Sequence, residues 1–337
     1  MKVLVTGANG HLGYNLIKGL LKKEHTVRGS IRSLKDTRKV QRLKSLGDID
    51  LVEADLNRPD QLEAAMEGID LLFHTAAVYS YTEPGRKQEI IDASIKGIEN
   101  TFYAAVQAKV RKIVLTSSVV TLPMTLPNTP PSNESNWTND KRVPYIKAKT
   151  EGEKLAWKIA REKKLHMVSI LPGTIAGPGF ARNTPTIDVL EALMMGAMRL
   201  GVMQMNYPYV DVRDVVTAHI LAGEKECEGR FIVCNDISPM FRDIIETMHS
   251  LDSKIPLPLM TLPNFMMGAM GFFDKFNRLT LGTPLIASPE FMATMKGKLW
   301  NFSNQRIKDV LGWQQQISME QSLHDTIEEI RKLKSQK

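Results

Sequence analysis

Apolar positions along the first half of the chain switch between two periods. Val3-Leu4-Val5 is an unbroken apolar run and predicts a strand over residues 2–6, buried on both faces. Leu12, Leu16, Ile17, Leu20 and Leu21 recur at helical spacing and predict a helix over 12–22. The same reading predicts further strands over 26–31, 50–53, 71–74, 112–116 and 167–171, and helices over 38–46, 60–66, 90–108 and 145–163. Strand-helix alternation of this length predicts an α/β fold with a doubly wound parallel sheet. Right-handed crossovers would then put a ligand at the carboxyl ends of the strands.

The pattern breaks twice. Residues 122–144 carry Pro123, Pro127, Pro130, Pro131 and Pro144 among Asn, Ser and Thr, so neither a regular helix nor a central strand fits, and a long functional loop is expected. After Pro172 the chain turns Met-rich over 180–205, and over 255–295 it mixes Pro, Met, Phe and Gly. A strand over 231–234 and an amphipathic helix over 319–333 look like returning core. The expected organisation is a nucleotide-binding domain over 1–175, with returning pieces around 207–235. A smaller, mostly helical C-terminal substrate lobe follows over 176–337. The methionines (Met194, Met195, Met198, Met203, Met205, Met260, Met266, Met267, Met270) read either as adaptable core or as a plastic apolar lid.

Composition narrows the class. The chain of 337 residues is 43% apolar and 24% charged, ordinary for a globular protein with a sizeable core. Its net charge of +7 comes from scattered basic residues without a dense run, which argues against nucleic acid and suits an anionic dinucleotide. Cys227 and Cys234 are too few for a disulfide scaffold and sit in no metal-ligand pattern. His74, at a predicted strand end without a second ligand nearby, reads as packed or hydrogen-bonded, so no metal is expected. The N-terminus runs straight into a strand and no stretch of about twenty apolar residues occurs, so neither signal peptide nor membrane span is expected. Location should be cytoplasmic, as a monomer or homodimer.

Thr6-Gly7-Ala8-Asn9-Gly10-His11-Leu12-Gly13 joins the first predicted strand to the first helix. Gly7 permits a sharp turn, Gly10 close approach to a pyrophosphate, and Gly13 close helix–strand packing. The helix N-terminus offers free N–H groups to phosphate. A ligand-free tight turn is the plainer alternative, but strand-glycines-helix is the context of a Rossmann-type dinucleotide site. An NAD site presents an acid at the end of the second strand. Here the strand ends Arg28-Gly29-Ser30-Ile31-Arg32, with no acid before Asp36. Arg32 can fork onto a 2′-phosphate, with Lys39 nearby, which predicts NADPH/NADP+. The alternative is that Arg28 and Arg32 are merely solvated.

Tyr145 and Lys149 lie at i and i+4 at the start of a predicted helix and so share one face. A nearby ammonium stabilises phenolate and makes tyrosine usable as an acid. The spacing alone is common by chance. The strand over 112–116 strengthens it, because Ser117 and Ser118 follow at the sheet's carboxyl edge, where Ser118 can hold a carbonyl oxygen beside Tyr145.

With these segments in order, and with Asp55-Leu56, His74-Thr75-Ala76-Ala77 and Leu171-Pro172-Gly173, the chain resembles the extended short-chain dehydrogenases/reductases, the NAD-dependent epimerase/dehydratase superfamily, over nearly its whole length. Residues 27–33, 209–215 and Ala218-His219 resemble the dihydroflavonol reductase and aldehyde/ketone reductase branch. The resemblance implies Ser118, Tyr145 and Lys149 as the catalytic triad. It places Asp55 and Leu56 at the adenine, Ala76 and Ala77 at the nicotinamide ribose, and Pro172, Gly173 and Thr174 at the nicotinamide ring, with Thr75 and Ser117 as further cofactor-binding residues. Dihydroflavonol reductases carry a polar substrate-binding residue five positions after the serine; here that position is Pro123, against a flavonoid substrate. The expected activity is reduction of a small apolar aldehyde or ketone by NADPH. The alternatives are a nucleotide-sugar epimerase or dehydratase, a 3-beta-hydroxysteroid dehydrogenase-like enzyme, and a non-catalytic NADP sensor. Val119, Val120 and Thr121, which cannot ionise usefully, argue against the dehydratase.

Overall fold

The computed structural model describes residues 1–76, 87–263, 266, 279 and 289–335. Its centre is a seven-stranded sheet, β1 (Lys2–Thr6), β2 (Thr26–Ile31), β3 (Asp50–Glu53), β4 (Leu71–His74), β5 (Lys112–Thr116), β6 (His166–Pro172) and β10 (Gly229–Val233). The order is β10-β6-β5-β4-β1-β2-β3, every pairing parallel. The chain leaves β1 toward β2 and β3, then returns to β1's other side as β4. That reversal opens a crevice at the carboxyl ends of β1 and β4, where Thr6 pairs in register with His74.

Both faces of the sheet are covered, which is why its strands read as apolar runs rather than alternations. Val3, Val5, Phe73, Val114 and Ile170 face one core, shared with α1 (His11–Lys22) and α7 (Val212–Glu224). Leu4, Leu72, Ile113, Leu115 and Met167 face the other. There they meet α3 (Pro59–Met66), α4 (Lys87–Gln107) and α5 (Pro144–Lys163). The short α2 (Thr37–Lys44) buries only Leu43.

A second set of elements builds the lobe, with a core of its own around Phe180, Leu190, Tyr209, Phe241 and Trp300. It contains α6 (Pro185–Met194), α8 (Phe241–Leu251), α9 (Pro289–Met295) and the terminal α11 (Met319–Ser335), while α10 (Gln305–Leu311) packs back against the sheet domain. Two short parallel pairs accompany them, β7 (Thr174–Ala176) with β9 (Tyr209–Asp211), and β8 (Val202–Met203) with β11 (Thr261–Leu262). Met198, Met203 and Met205 are buried in this core, whereas Met194 and Met195 are half-buried and Met260 is exposed. Met267 and Met270 lie outside the described residues. No helix among the described residues is long and apolar enough to cross a membrane.

Two glycines set the tolerance at the crevice. Gly7 has φ +68°, and a Cβ there would meet Ala76 Cα at 2.9 Å. At Gly13 a Cβ would lie 2.3 Å from the Gly7 carbonyl oxygen, so α1 can approach the turn only without a side chain. Gly13→Ala is therefore expected to lower stability by about 1–3 kcal/mol, as overpacking against backbone does. Urea unfolding with an unchanged slope measures this; a wild-type midpoint contradicts it.

Candidate active site

The first turn after β1 closes on itself, with the Gly10 N–H donating to the Gly7 carbonyl at 2.9 Å. Helix α1 then begins at His11 behind Gly10, with no side-chain cap. Its first N–H groups, around His11, Leu12 and Gly13, lie within a helix opening that an anion can satisfy. Asn9 is half-buried in the same turn. The His11 side chain turns the other way, its Nε2 3.1 Å from the Pro178 carbonyl and its ring edge-on to Phe180. Burial pulls its pKa down to about 4, so it packs as a neutral ring.

The end of β2 separates its two arginines. Arg28 is spent on structure: Nε donates to Asp50 at 2.6 Å, and Nη1 reaches the carbonyls of Ala65 and Glu67. Arg32 is exposed and makes no ion pair among the described residues. Lys39 pairs with Asp36 at 2.6 Å. Asp36 also caps α2 by accepting from the Lys39 N–H, so Lys39 is less open to a ligand than Arg32. The pair is exposed and weak enough for a competing phosphate to break.

At the crevice itself, Leu56, His74, Ala76, Thr116, Tyr145 and Lys149 line one pocket. Asp55 accepts from the Asn57 N–H, which shapes the bend before α3, and the Leu56 carbonyl accepts from Asn100. Thr6 organises the β4 end: its hydroxyl lies 3.0 Å from His74 Nδ1 and accepts from the Ala76 N–H, while the Thr75 hydroxyl donates to its carbonyl. His74 Nε2 is buried without a partner among the described residues, and burial holds its pKa at about 3. Ala77 lies outside the described residues. Pro172 ends β6; the Gly173 N–H donates to Val233, and Thr174 donates from both N–H and hydroxyl to the Pro208 carbonyl.

Tyr145 and Lys149 sit in the first two turns of α5, which Pro144 opens at its first position. Lys149 Nζ donates to the Thr116 carbonyl at 3.2 Å, tying the helix to the end of β5. Removal from water lowers its pKa to about 8, against the opposing pull of Glu153. Ser118, buried beyond β5, caps the short turn Val119–Thr121, its hydroxyl accepting from the Val120 N–H. The Ser117 hydroxyl is taken, donating to Glu153 at 2.6 Å.

Glu153 and its partner Arg230 were not among the expected site residues, although Ser117 was. Glu153 continues the Tyr145–Lys149 face one turn further and lines the same pocket. Arg230, on β10, donates to it from Nε at 2.9 Å. The same guanidinium bonds the carbonyls of Glu134 and Asn136 and the Thr121 hydroxyl, and stacks over Trp137 at 3.6 Å. His219 on α7 is a second hidden support. Its Nδ1 donates to the Val215 carbonyl, so Nε2, 2.8 Å from the Thr116 hydroxyl, accepts from it. The i, i+4, i+8 spacing marks Glu153 in the sequence, while Arg230 and His219 reach the site only through sheet and helix packing.

Residues 3–234 match the NAD dependent epimerase/dehydratase family. The chain is 33% identical to tetraketide alpha-pyrone reductase 2 of Arabidopsis thaliana over 278 residues, 75% of this chain and 83% of that protein. It is 29% identical to cinnamoyl-CoA reductase 1 of the same plant, over 98% of this chain and 89% of that one. The crystal structure of gox2253 superposes with a TM-score of 0.82 at 26% identity, covering 98% of each chain. The chain belongs to the NAD dependent epimerase/dehydratase family, among the reductase-like extended short-chain dehydrogenases/reductases, and is an oxidoreductase.

Proposed function

We propose that this enzyme reduces an aldehyde or ketone with NADPH, using Tyr145 as the proton donor. The observation that carries the reading is the placement of Lys149: one turn from Tyr145 on the same face, anchored at the Thr116 carbonyl, and partly stripped of water. An ammonium so placed favours the phenolate left behind when Tyr145 gives up its proton, and so makes the phenol a stronger acid. Ser118, at the mouth of the turn after β5, orients the carbonyl oxygen toward that proton. His74 stays neutral and does not compete for the charge.

The cofactor fit rests on this chain's own groups. The glycine turn, the uncapped α1 and Arg32, which makes no ion pair among the described residues, suit a pyrophosphate and a 2′-phosphate. Leu56 and Ala76 line the pocket beside Tyr145 and Lys149, and we assign Asp55, Thr75, Pro172, Gly173 and Thr174 to the rest of the cofactor. When bound, NADPH supplies the hydride. Residues 1–175, with the returning β10, hold the cofactor, and the lobe covers the substrate. The charge-poor run from Ile255 to Phe273, of which residues 264–265 and 267–273 lie outside the described residues, supports an apolar carbonyl compound over a sugar or charged acid.

Three outcomes test this reading. Arg32→Ala should raise the NADPH KM about tenfold or more, since hydrogen bonds to charged groups contribute about 1.5–3 kcal/mol. The NADH KM should hardly change, and equal use of both cofactors by the native protein contradicts the assignment. Tyr145→Phe should cut kcat about a hundredfold or more while leaving NADPH affinity near wild type; retained turnover overturns the mechanism. Lys149 is cationic below about pH 8 and neutral above it. Reductive kcat should therefore fall as pH rises through that value, and a flat profile to pH 10 contradicts the role given to Lys149.

A further inference from the structure

The catalytic face of α5 does not end at Lys149. Glu153, almost fully buried, follows one turn later in the same pocket. Its carboxylate is saturated: Oε2 accepts from the Ser117 hydroxyl at 2.6 Å and from Arg230 Nη2, and Oε1 accepts from Arg230 Nε and Trp157 Nε1. Ser117 stands between Thr116, which receives Lys149, and Ser118. Two adjacent hydrogen bonds, Lys149 to Thr116 and Ser117 to Glu153, thus lock α5 to the strand end that carries the serine.

We propose that Glu153 is a positioning residue for the Tyr145–Lys149 pair, its carboxylate, clamped by Arg230, fixing α5 against the serine strand and keeping the Lys149 side chain a cation. The inference rests on the catalytic reading of Lys149 above. Among the described residues around Lys149, Glu153 is the one anion that acts on it. From β4 comes His74, held neutral. From β5 comes Thr116, with Ser117 just beyond its end, and from α4 Ser94 and Ile98, none of which ionises usefully. On α5 itself stand Tyr145 and Glu153, and Arg230 on β10 sits behind the carboxylate. Burial pulls the Lys149 proton off; the Glu153 charge opposes that pull. Without it, more of the lysine would be neutral at physiological pH and the tyrosine would lose its electrostatic support.

The test reads Lys149 itself. The folded protein is labelled with trace acetic anhydride across a pH series, and acetylation at Lys149 is quantified by peptide mass spectrometry. The wild type should titrate near pH 8. Glu153→Gln should titrate about one unit lower, the size of a lost close counter-charge. Ser117→Ala, which removes the hydrogen bond but keeps the charge, should stay at the wild-type value, so a loosened helix is told apart from a lost charge. Should Glu153→Gln fail to fold because Arg230 is left buried and unpaired, Glu153→Gln with Arg230→Gln removes both charges, and a smaller shift in the same downward direction is expected, since the lost cation offsets part of the lost anion. A wild-type titration in whichever Glu153 variant folds overturns the proposal. The kcat profile of the wild type, recorded alongside, tests the catalytic reading separately. An alkaline limb that does not follow the Lys149 titration refutes that reading, whatever the Glu153 variants show.

Discussion

The guanidinium of Arg230 is the joint on which this architecture turns. It is buried, as is its partner Glu153, and two charges taken out of water cost several kcal/mol each unless their hydrogen bonds are made good. Here they are. Arg230 spends its donors on Glu153, Thr121, Glu134 and Asn136, and its flat face on Trp137. One side chain from the sheet's edge strand therefore grips the turn after Ser118, the middle of the proline-rich loop, and the helix of Tyr145 and Lys149. The loop has few ladder partners of its own, so its buried carbonyls need such donors. Together with the Lys149–Thr116 and Ser117–Glu153 hydrogen bonds, this clasp fixes the distance between serine and tyrosine, which lie at opposite ends of that loop.

Around the joint, the sheet supplies a flat edge of strand ends. Thr6, His74 and Thr116 stand side by side on β1, β4 and β5, and each is used as a connector. Thr6 gathers His74, Thr75 and Ala76. Thr116 receives Lys149 on its carbonyl and gives its hydroxyl to His219. The histidines are neutral and serve as hydrogen-bonding struts, with burial pulling His74 to about 3 and His219 to about 4. Charge in the pocket is thereby left to Lys149 and Glu153, and a cation beside a phenol is what acid catalysis at a carbonyl needs.

Much of this was legible in the chain. Continuous apolar strands between amphipathic helices gave the doubly wound sheet, because both its faces are buried. The glycine turn, Arg32 and the Tyr145–Lys149 spacing are local signals, carried by residues close together in the chain. What failed to show was whatever depends on distant packing. Helix α7 is buried on most sides, including Val212, Val215, Ala218, His219 and Ala222, so it has no polar face to set a period. The pairs β7–β9 and β8–β11 are too short for alternation to register. Arg32 is favoured by its place at the end of the second strand; what the sequence does not show is the pairing of β2 with β3, which brings Asp50 beside Arg28 and occupies it. Arg230 meets Glu153 across 77 residues of sequence, a contact no spacing rule could anticipate.

The central claim is net hydride transfer from a reduced nicotinamide to a carbonyl carbon. NADPH carrying deuterium at the transferable C4 position, turned over with an apolar aldehyde or ketone, tests it most directly by mass spectrometry of the product. The account predicts one deuterium on the carbinol carbon of each alcohol formed, with one NADPH consumed per product. An isomerised sugar nucleotide formed with no net loss of NADPH, or an alcohol without the label, would contradict it.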